Sequence, residues 1–270
     1  MINAHITSLG YRLETTTDLE VVAPLLEACR MNPIQEPGPQ WETSTYLIAC
    51  TLAGGIAACV GWNRRDDSIV LHSLAVAPTS RGSGIGGGLL ASAMGDLMDS
   101  QAVPACWLTT ESSSARRLFT STGFVFVDGD DVPAAVREHP TFASATARSR
   151  PMARRYQTAR RGLDNCAFRL ILNNTEDATL PLGSVFFFRQ TGEVIEASYR
   201  GGPVRRGHII GAISGDQLRF CWHQYVDEGA LQSGDGSIYF EQLPDGRREL
   251  RETLSGATEE KPNELHLREV

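Results

Sequence analysis

The spacing of apolar positions changes from a mixed helical and extended pattern to an extended one near residue 157. Leu19, Val22, Leu25 and Leu26 recur at helical spacing behind Asp18, a residue suited to cap a helix. Helical patterns also occupy residues 86–100, 112–122 and 130–142, and extended runs occupy 46–50, 56–62, 69–76, 105–110, 124–127 and 151–156. This alternation predicts an α/β domain over residues 1–157, with a mixed central sheet, flanking helices and residues 151–156 as a closing edge strand.

Beyond residue 164 the helical spacing disappears and short extended runs follow one another. They lie at 166–172, 184–189, 194–199, 207–213, 217–225, 237–243 and 247–254, and turn signals that include Gly234-Asp235-Gly236 separate them. We therefore predict an all-β antiparallel up-and-down barrel at 165–257, behind a linker at 158–164. The polar tail at 258–270 is expected to be loosely ordered. The run Tyr199-Arg200-Gly201-Gly202-Pro203-Val204 resembles small bacterial calycin-like (avidin-like) barrel proteins.

A glycine-rich loop joins the strand at 69–76 to the helix at 86–100. It reads Arg81-Gly82-Ser83-Gly84-Ile85-Gly86. Glycines let backbone N–H groups approach an anion closely, and the N-terminus of a helix adds partial positive charge, so the loop is suited to a phosphate. It is not a nucleotide-triphosphate loop, because Lys261 is the only lysine of the chain. A dinucleotide fingerprint also needs an acidic residue after a second strand, and Asp96 and Asp99 lie inside the helix instead.

With Leu74-Ala75-Val76 before it, this loop resembles that of GNAT-family N-acetyltransferases, which binds the pyrophosphate of acetyl-CoA. The resemblance covers the α/β domain and implies the GNAT acetyltransferase fold. It also implies acetyl-CoA as co-substrate, bound by two groups of residues. Backbone groups of Leu74, Ala75 and Val76 would pair with the pantetheine arm, and the loop residues Arg81, Gly82, Ser83, Gly84, Ile85 and Gly86 would bind the phosphates.

Candidate catalytic residues follow from the same comparison. His72 is expected on the same strand face as Leu74 and Val76, where a histidine that titrates near neutral pH can act as general base. A structural hydrogen bond is the other interpretation of His72. Glu111 is a second candidate base or a solvated loop carboxylate, and Ser112 stands at a position that often contacts the cofactor. Phe119, which is also expected to contact the cofactor, replaces the tyrosine that many GNAT enzymes use as general acid, so the coenzyme A thiolate would leave unassisted or with water.

The residues around Phe119 suggest an acceptor. Together with Leu108-Thr109-Thr110 and residues 132–142, Phe119 resembles an arsenic-resistance-associated GNAT subgroup and, more distantly, N-acetylglutamate synthases. This implies direct acetyl transfer, in a ternary complex, to a primary amine of a small, amino-acid-like molecule. The alternative is a sensor that binds acyl-CoA without turnover and holds its true ligand in the barrel. A protein or N-terminal acetyltransferase is disfavoured by the proline-rich segment at 31–41.

Composition limits the partners. The net charge of −7 and the sequence pI of about 5.4 argue against nucleic-acid binding. No apolar run is long enough for a membrane span, and residues 1–12 lack a signal-peptide pattern, so a cytoplasmic protein is expected. The six cysteines have no metal-site spacing and are expected to be reduced and mostly buried, with no metal bound. The barrel could bind a ligand, form a homodimer or contact substrate, and the sequence leaves these roles open.

Overall fold

The computed structural model describes residues 4–32, 34, 37–100, 105–155, 162–175, 179–227, 229–253 and 263–270. The chain divides into two compact units. The sheet unit is Gly10–Gln157, and the barrel unit is Thr158–Val270 together with Met1–Leu9. Helix α1 (Ala4–Ser8) contacts a barrel strand, so it belongs to the barrel unit and not to the α/β domain predicted for residues 1–157. Residues 158–161 of the predicted linker lie outside the described residues.

The sheet unit is a mixed α/β structure with flanking helices, as predicted. Its strands are β1 (Tyr11–Thr16), β2 (Thr45–Thr51), β3 (Ile56–Arg65), β4 (Ser68–Val76), β5 (Ala105–Thr110), β6 (Val125–Phe126) and β7 (Arg150–Arg155). Its helices are α2 (Leu19–Ala28), α3 (Ile85–Ser100), α4 (Ser113–Thr120), α5 (Ala134–Arg137) and α6 (Pro140–Ala143). Among the described helices, none has the length and apolar character needed to cross a bilayer.

The strand order is β1-β2-β3-β4-β5-β7-β6, which corrects one expectation and adds a strand. Strand β7 is not at the edge but lies between β5 and β6, with Ala153 paired to Trp107 on one side and to Val125 on the other. An apolar run does not reveal which strands it pairs with, so the sequence could not place it. Strand β1 was not predicted, because among its residues only Tyr11 and Leu13 are large and apolar.

Helices cover both faces of this sheet. Asp18 caps α2 by accepting a hydrogen bond from the backbone N–H of Glu20 (2.9 Å), as its position in the sequence suggests. Helix α2 then buries Val22 and Leu26 against Tyr46 and neighbouring residues of β2 and β3. Helix α3 contacts the opposite face, where Gly86 lies against Val76, and it buries Leu89, Leu90 and Met94 completely. Each such buried side chain contributes about 1.5–3 kcal/mol of transfer free energy.

The barrel unit is a closed up-and-down barrel, which confirms the predicted architecture. Its strands are β8 (Cys166–Asn173), β9 (Val185–Thr191), β10 (Val194–Gly201), β11 (Val204–Ser214), β12 (Gln217–Val226), β13 (Leu231–Gln242), β14 (Arg248–Thr253) and β15 (Glu264–Glu269). Consecutive strands pair antiparallel, and β15 pairs with β8 to close the barrel. Because the sheet is closed, no edge strand is left without a partner.

Strand β15 lies in the segment that was expected to be a loosely ordered tail, so that expectation is wrong for residues 264–269. Leu267 is fully buried in the barrel core, and the buried Glu269 accepts a hydrogen bond from Arg248 Nε of β14 (2.9 Å). Charged residues that alternate with leucines concealed the strand, because the segment is polar on average. The remainder of the predicted tail, residues 258–262, lies outside the described residues.

The predicted turn at 234–236 is also wrong, since these residues lie inside β13. Gly234 is opposite Trp222, and a Cβ at Gly234 would lie 2.8 Å from the indole ring. Gly236 gives similar room to the carboxyl of Glu252. These glycines accommodate large neighbouring side chains and do not reverse the chain.

Candidate active site

The glycine-rich loop connects the end of β4 to the beginning of α3. Gly82 and Gly84 have positive φ angles of 78° and 90°, a conformation that other residues adopt only with strain. Ser83 Oγ donates a hydrogen bond to the carbonyl of Ser80 (2.7 Å), which fixes the turn. Nothing lies within 4 Å of the position that a Cβ of Gly82 would occupy, so the loop surface is open there. The first turn of α3 has N–H groups without helical acceptors, and these groups suit an anion.

Helix α3 begins directly against the end of β4. A Cβ at Gly86 would lie 3.2 Å from Cγ2 of Val76, tighter than most real contacts. Glycine at this position therefore lets the helix terminus approach the strand closely. As a result, the anion-binding end of α3 lies beside the last residues of β4.

Strand β4 separates from β5 along its length. The two strands pair in parallel only from Ser68 to Val70, opposite Ala105 to Trp107, although β4 continues to Val76. The residues of β4 beyond Val70 pair with β3 on one side and with no described strand on the other. Their backbone groups form a short unpaired edge that ends at the glycine loop. An extended ligand can pair with such an edge as an added strand does.

A bulge interrupts β4 in the middle of this edge. Ala75 is opposite Cys59 and His72 is opposite Gly61, so Ser73 and Leu74 together face one residue of β3. Ser73 has a positive φ of 52°. The extra residue reverses the alternation of side chains, and this makes one prediction wrong: His72 shares the face of Ala75 and not that of Leu74 and Val76.

His72 lies in a tightly packed, buried environment with 6% of its surface exposed. Its ring packs edge-on against Tyr46 (5.5 Å between centroids) and directly over Gly61. Nδ1 is 3.0 Å from Ser73 Oγ, whereas Nε2 is buried and has no hydrogen-bond partner among the described residues. Burial, helped by the nearby His139, lowers the pKa of His72 to about 3. His72 is therefore neutral at pH 7 and a weak base.

His139 stacks near His72 with 6.2 Å between the ring centroids. It is fully buried at the start of α6, where its Nδ1 accepts a hydrogen bond from the backbone N–H of Thr141 (3.2 Å). The ring proton is then on Nε2, which donates to Asn63 Oδ1 (3.0 Å). The Asn63 amide donates in turn to Ser44 Oγ (3.0 Å). This network holds His139 neutral, and burial lowers its pKa to about 4.

Two family models match the chain, one in each unit. The model of the acetyltransferase (GNAT) domain matches residues 42–126, which include β4, the glycine loop and α3. The model of the avidin-like protein matches residues 161–270. The chain contains a GNAT acetyltransferase domain and an avidin-like domain. The first of these two domains is an acyltransferase domain. No curated protein matches the chain.

Solved structures similar to the acetyltransferase domain come from several organisms. A GNAT-family acetyltransferase from Staphylococcus aureus Mu50 has 13% identity and a TM-score of 0.40, and the match covers 53% of this chain and 98% of that one. The ribosomal-protein-S18-alanine N-acetyltransferase of Escherichia coli has 21% identity and a TM-score of 0.40, and the match covers 57% of this chain and 98% of that one. The PaiA N-acetyltransferase of Thermoplasma acidophilum, solved with coenzyme A, has 17% identity and a TM-score of 0.32. The match covers 41% of this chain and 60% of that one. Because all three TM-scores are below 0.5, the identification rests on the family models.

Glu111 lies at the end of β5 in the acetyltransferase domain and is exposed. Its Oε1 accepts hydrogen bonds from Thr146 Oγ1 and from Ser149 Oγ (3.2 Å). These bonds stabilise the carboxylate and lower the pKa of Glu111, which makes it a weaker base. Glu111 is exposed whereas His72 is buried, and no hydrogen bond joins them among the described residues, so the two predicted bases do not act on each other directly.

The other predicted site residues have identifiable structural contacts. Ser112 caps α4 by accepting a hydrogen bond from the backbone N–H of Ala115 (3.3 Å). Phe119 is buried edge-on against Phe124, with 5.8 Å between ring centroids. Arg81 donates from Nε to the carbonyl of Val76 (3.1 Å), so its guanidinium lies at the junction of β4 and the loop. Contacts of these residues with a cofactor stay predictions.

Sequence reasoning missed the part that His139 plays beside His72. The helical pattern over residues 130–142 was recognised, and the structure shows α5 and α6 there. The signal in the sequence was the pair His139-Pro140, a cap residue followed by a helix-starting proline. That the helix would bring a histidine against β4 is a tertiary fact, which local spacing does not contain.

Proposed function

We propose that the protein transfers the acetyl group of acetyl-CoA to a primary amine of a small, amino-acid-like molecule, by direct attack in a ternary complex. The observation that carries the proposal is the unpaired edge of β4 that ends at the glycine loop and at the N-terminus of α3. The residues present fit acetyl-CoA. The open surface at Gly82 and the helix N-terminus suit its pyrophosphate, and the backbone of Leu74–Val76 suits the amides of its pantetheine arm.

Acetyl-CoA would supply an activated thioester, and the protein must then supply position and a neutral amine. Holding two reactants in reactive geometry can lower the activation barrier by about 7–11 kcal/mol. The backbone at the end of β4 would fix the thioester, and its N–H groups would stabilise the developing oxyanion. A coenzyme A thiol is acidic enough to leave without the tyrosine that Phe119 replaces.

The role of His72 as general base stays a prediction. Because its pKa is about 3, removal of a proton from an ammonium group by His72 is strongly uphill. The proposal requires an amine that binds as the free base, and the buried Nε2 of His72 can accept its hydrogen bond only after the packing around the ring opens. The rate should then follow the unprotonated fraction of the amine as the pH rises, without a break near the ordinary histidine pKa of about 6.5.

The test is amine-dependent release of thiol from acetyl-CoA, measured with a panel of amino acids and simple primary amines. We expect release with at least one amine and a strong decrease in His72→Gln. The loop is tested by Gly82→Val, with Gly54→Val as matched control. Both glycines have positive φ, and both have open space where a Cβ would be, but Gly54 lies in the turn between β2 and β3. Each variant should lose about 1–2 kcal/mol of stability from backbone strain.

Only Gly82→Val should also raise the KM for acetyl-CoA, by tenfold or more, because its side chain would block the approach of phosphate to the loop. Equal KM values in the two variants would refute the assignment of the loop. The second candidate function, an acyl-CoA sensor without turnover, is favoured by the low basicity of His72 and Glu111. Tight acetyl-CoA binding without release by any amine would select the sensor.

A further inference from the structure

The barrel contains a cavity of about 840 Å³. Its walls are largely aromatic and aliphatic, and they include Phe186, Tyr199, Phe220, Trp222, Ile238 and Leu265. The opposite end of the barrel is filled by a dense core in which Phe168 and Phe188 pack edge-on at 5.3 Å. The cavity therefore lies toward one end of the barrel. The volume of the cavity is typical of a pocket that binds a small organic molecule.

One carboxyl group is among the side chains that line this cavity. Glu252 on β14 is inward-facing, two residues from the core residue Leu250, and has only 7% of its surface exposed. It lies against Gly236 of β13, where any side chain would collide with it. No hydrogen bond or ion pair joins Glu252 to another of the described residues. A buried carboxylate without partners is unfavourable and needs a compensating group.

The amide and hydroxyl side chains that line the cavity have hydrogen-bond partners among the described residues. Tyr199 donates to Gln224 Oε1 (3.1 Å), and Gln224 Nε2 donates to Gln232 (2.7 Å) and to Thr179 (3.2 Å). Asn173 donates to the carbonyl of Leu180 (2.8 Å) and accepts from Thr175 (2.8 Å). Among the described lining residues, the indole N–H of Trp222 and the carboxyl of Glu252 have no hydrogen bond, and of the two only Glu252 is an acceptor. The cavity presents one unsatisfied acceptor to a ligand.

The charge of the cavity follows from the groups that face Glu252. The neighbouring strands contribute Ile238 and Gly236 from β13, Leu265 from β15 and Phe220 from β12, none of which is charged. Tyr199 from β10 is the titratable neighbour, and burial raises its pKa. Burial also raises the pKa of Glu252 to about 7. Above that pH the cavity holds a carboxylate, with no arginine, lysine or histidine among the described residues that line it.

We propose that the barrel cavity binds a small organic amine, with its cationic nitrogen on the carboxylate of Glu252 and its apolar body against Phe220 and Trp222. Aromatic faces attract cations, with energies of about 2 kcal/mol or more in desolvated sites. A charge-assisted hydrogen bond to the amine would satisfy Glu252. This site is separate from the proposed transfer of acetyl groups and does not depend on it.

The experiment is calorimetric titration of the full-length protein at pH 8 with phenethylamine, and with 2-phenylethanol and 3-phenylpropionate as neutral and anionic analogues. The amine should bind at least tenfold more tightly than the alcohol, and the acid should not bind measurably. At pH 5.5, where Glu252 is protonated, the affinity for the amine should fall about tenfold or more. Equal binding of the amine and the alcohol, or no binding of any probe, would overturn the proposal.

Variants locate the site in the barrel. Glu252→Gln should remove the preference for the amine, whereas Glu252→Asp should keep the preference with weaker affinity. The matched control is Glu241→Gln, which removes an exposed carboxylate of β13 that pairs with Arg251 (2.8 Å), and it should change nothing. Thermal unfolding checks that each variant is folded. Amine binding that survives Glu252→Gln would place the amine elsewhere, for example in the acetyltransferase domain, and would also refute the proposal.

Discussion

The two units of this protein bury different ionisable side chains at their proposed sites. In the acetyltransferase domain His139 makes hydrogen bonds on both ring nitrogens, and the neighbouring His72 is held neutral by burial. In the barrel, Glu252 lines a cavity and has no hydrogen-bond partner among the described residues. In the proposed acetyl-CoA site the first unit would present mainly backbone groups, through the edge of β4 and the glycine loop. In the proposed amine site the second would present side chains.

This difference has a consequence for stability. A histidine whose pKa is lowered in the folded state destabilises the fold as the pH falls, because the unfolded chain binds protons first. A carboxyl whose pKa is raised destabilises the fold as the pH rises, because the unfolded chain releases its proton first. The two units should therefore have pH dependences of opposite sign at these sites. Measurements on variants can isolate each contribution.

The largest expected effect is acid destabilisation of the acetyltransferase domain by His72 and His139. Their folded-state pKa values of about 3 and 4 lie below the ordinary value, so the unfolded chain takes up protons below about pH 6.5. Stability from these two groups should be lost as the pH falls from 6.5 to 4, by a total on the order of 5 kcal/mol. Urea unfolding at several pH values measures this loss.

The variant His139→Asn removes the titrating imidazole but keeps a side chain that can cap α6, because asparagine is a favourable N-cap residue. It should be less stable than the wild type at pH 7 because packing against Trp41 is lost, but its stability should fall less steeply with acid. A pH slope equal to that of the wild type would show that His139 is not held neutral. The acid destabilisation expected for the acetyltransferase domain would then not come from His139.

The second effect is destabilisation of the barrel by Glu252 as the pH rises. Its folded-state pKa of about 7 lies above the ordinary carboxyl value, so stability is full below about pH 4.5 and is lost as the pH rises through 7. The loss should amount to about 3 kcal/mol. Glu252→Gln, which cannot ionise, should be more stable than the wild type at pH 8 and similar to it at pH 4.5. A variant that is equally destabilised at both pH values would mean that Glu252 has a partner in the folded protein.

Much of the acetyltransferase domain could be predicted because its key signals are local. The glycines of the loop, the strand before it and the helix after it stand in one continuous stretch, Leu74 to Leu90. What local spacing could not show was the bulge at Ser73, which moves His72 to the other face of β4. A bulge depends on how two strands pair, and pairing is a tertiary property.

The barrel shows the same limit in another form. Its architecture followed from the repeated short strands, but its last strand was missed because Leu265 and Leu267 alternate with charged residues in an acidic segment. Glu252 was missed as well, although it falls on the inward parity of β14 with Leu250. A glutamate at an inward position is a signal that can be read once the strand is known. Its lack of a partner can be read only from the structure.

The smallest expected effect tests whether Ser112 of the acetyltransferase domain also binds cofactor. Ser112 caps α4, so its replacement by alanine should lower the free energy of unfolding by about 1 kcal/mol. Ser113→Ala, at the first helical position, is the matched control and should cost less. If capping is the only role of Ser112, the KM for acetyl-CoA should be the same in both variants. A KM raised several-fold in Ser112→Ala alone would mean that side chains, besides the backbone, bind the cofactor in this unit, and the contrast with the barrel would weaken accordingly.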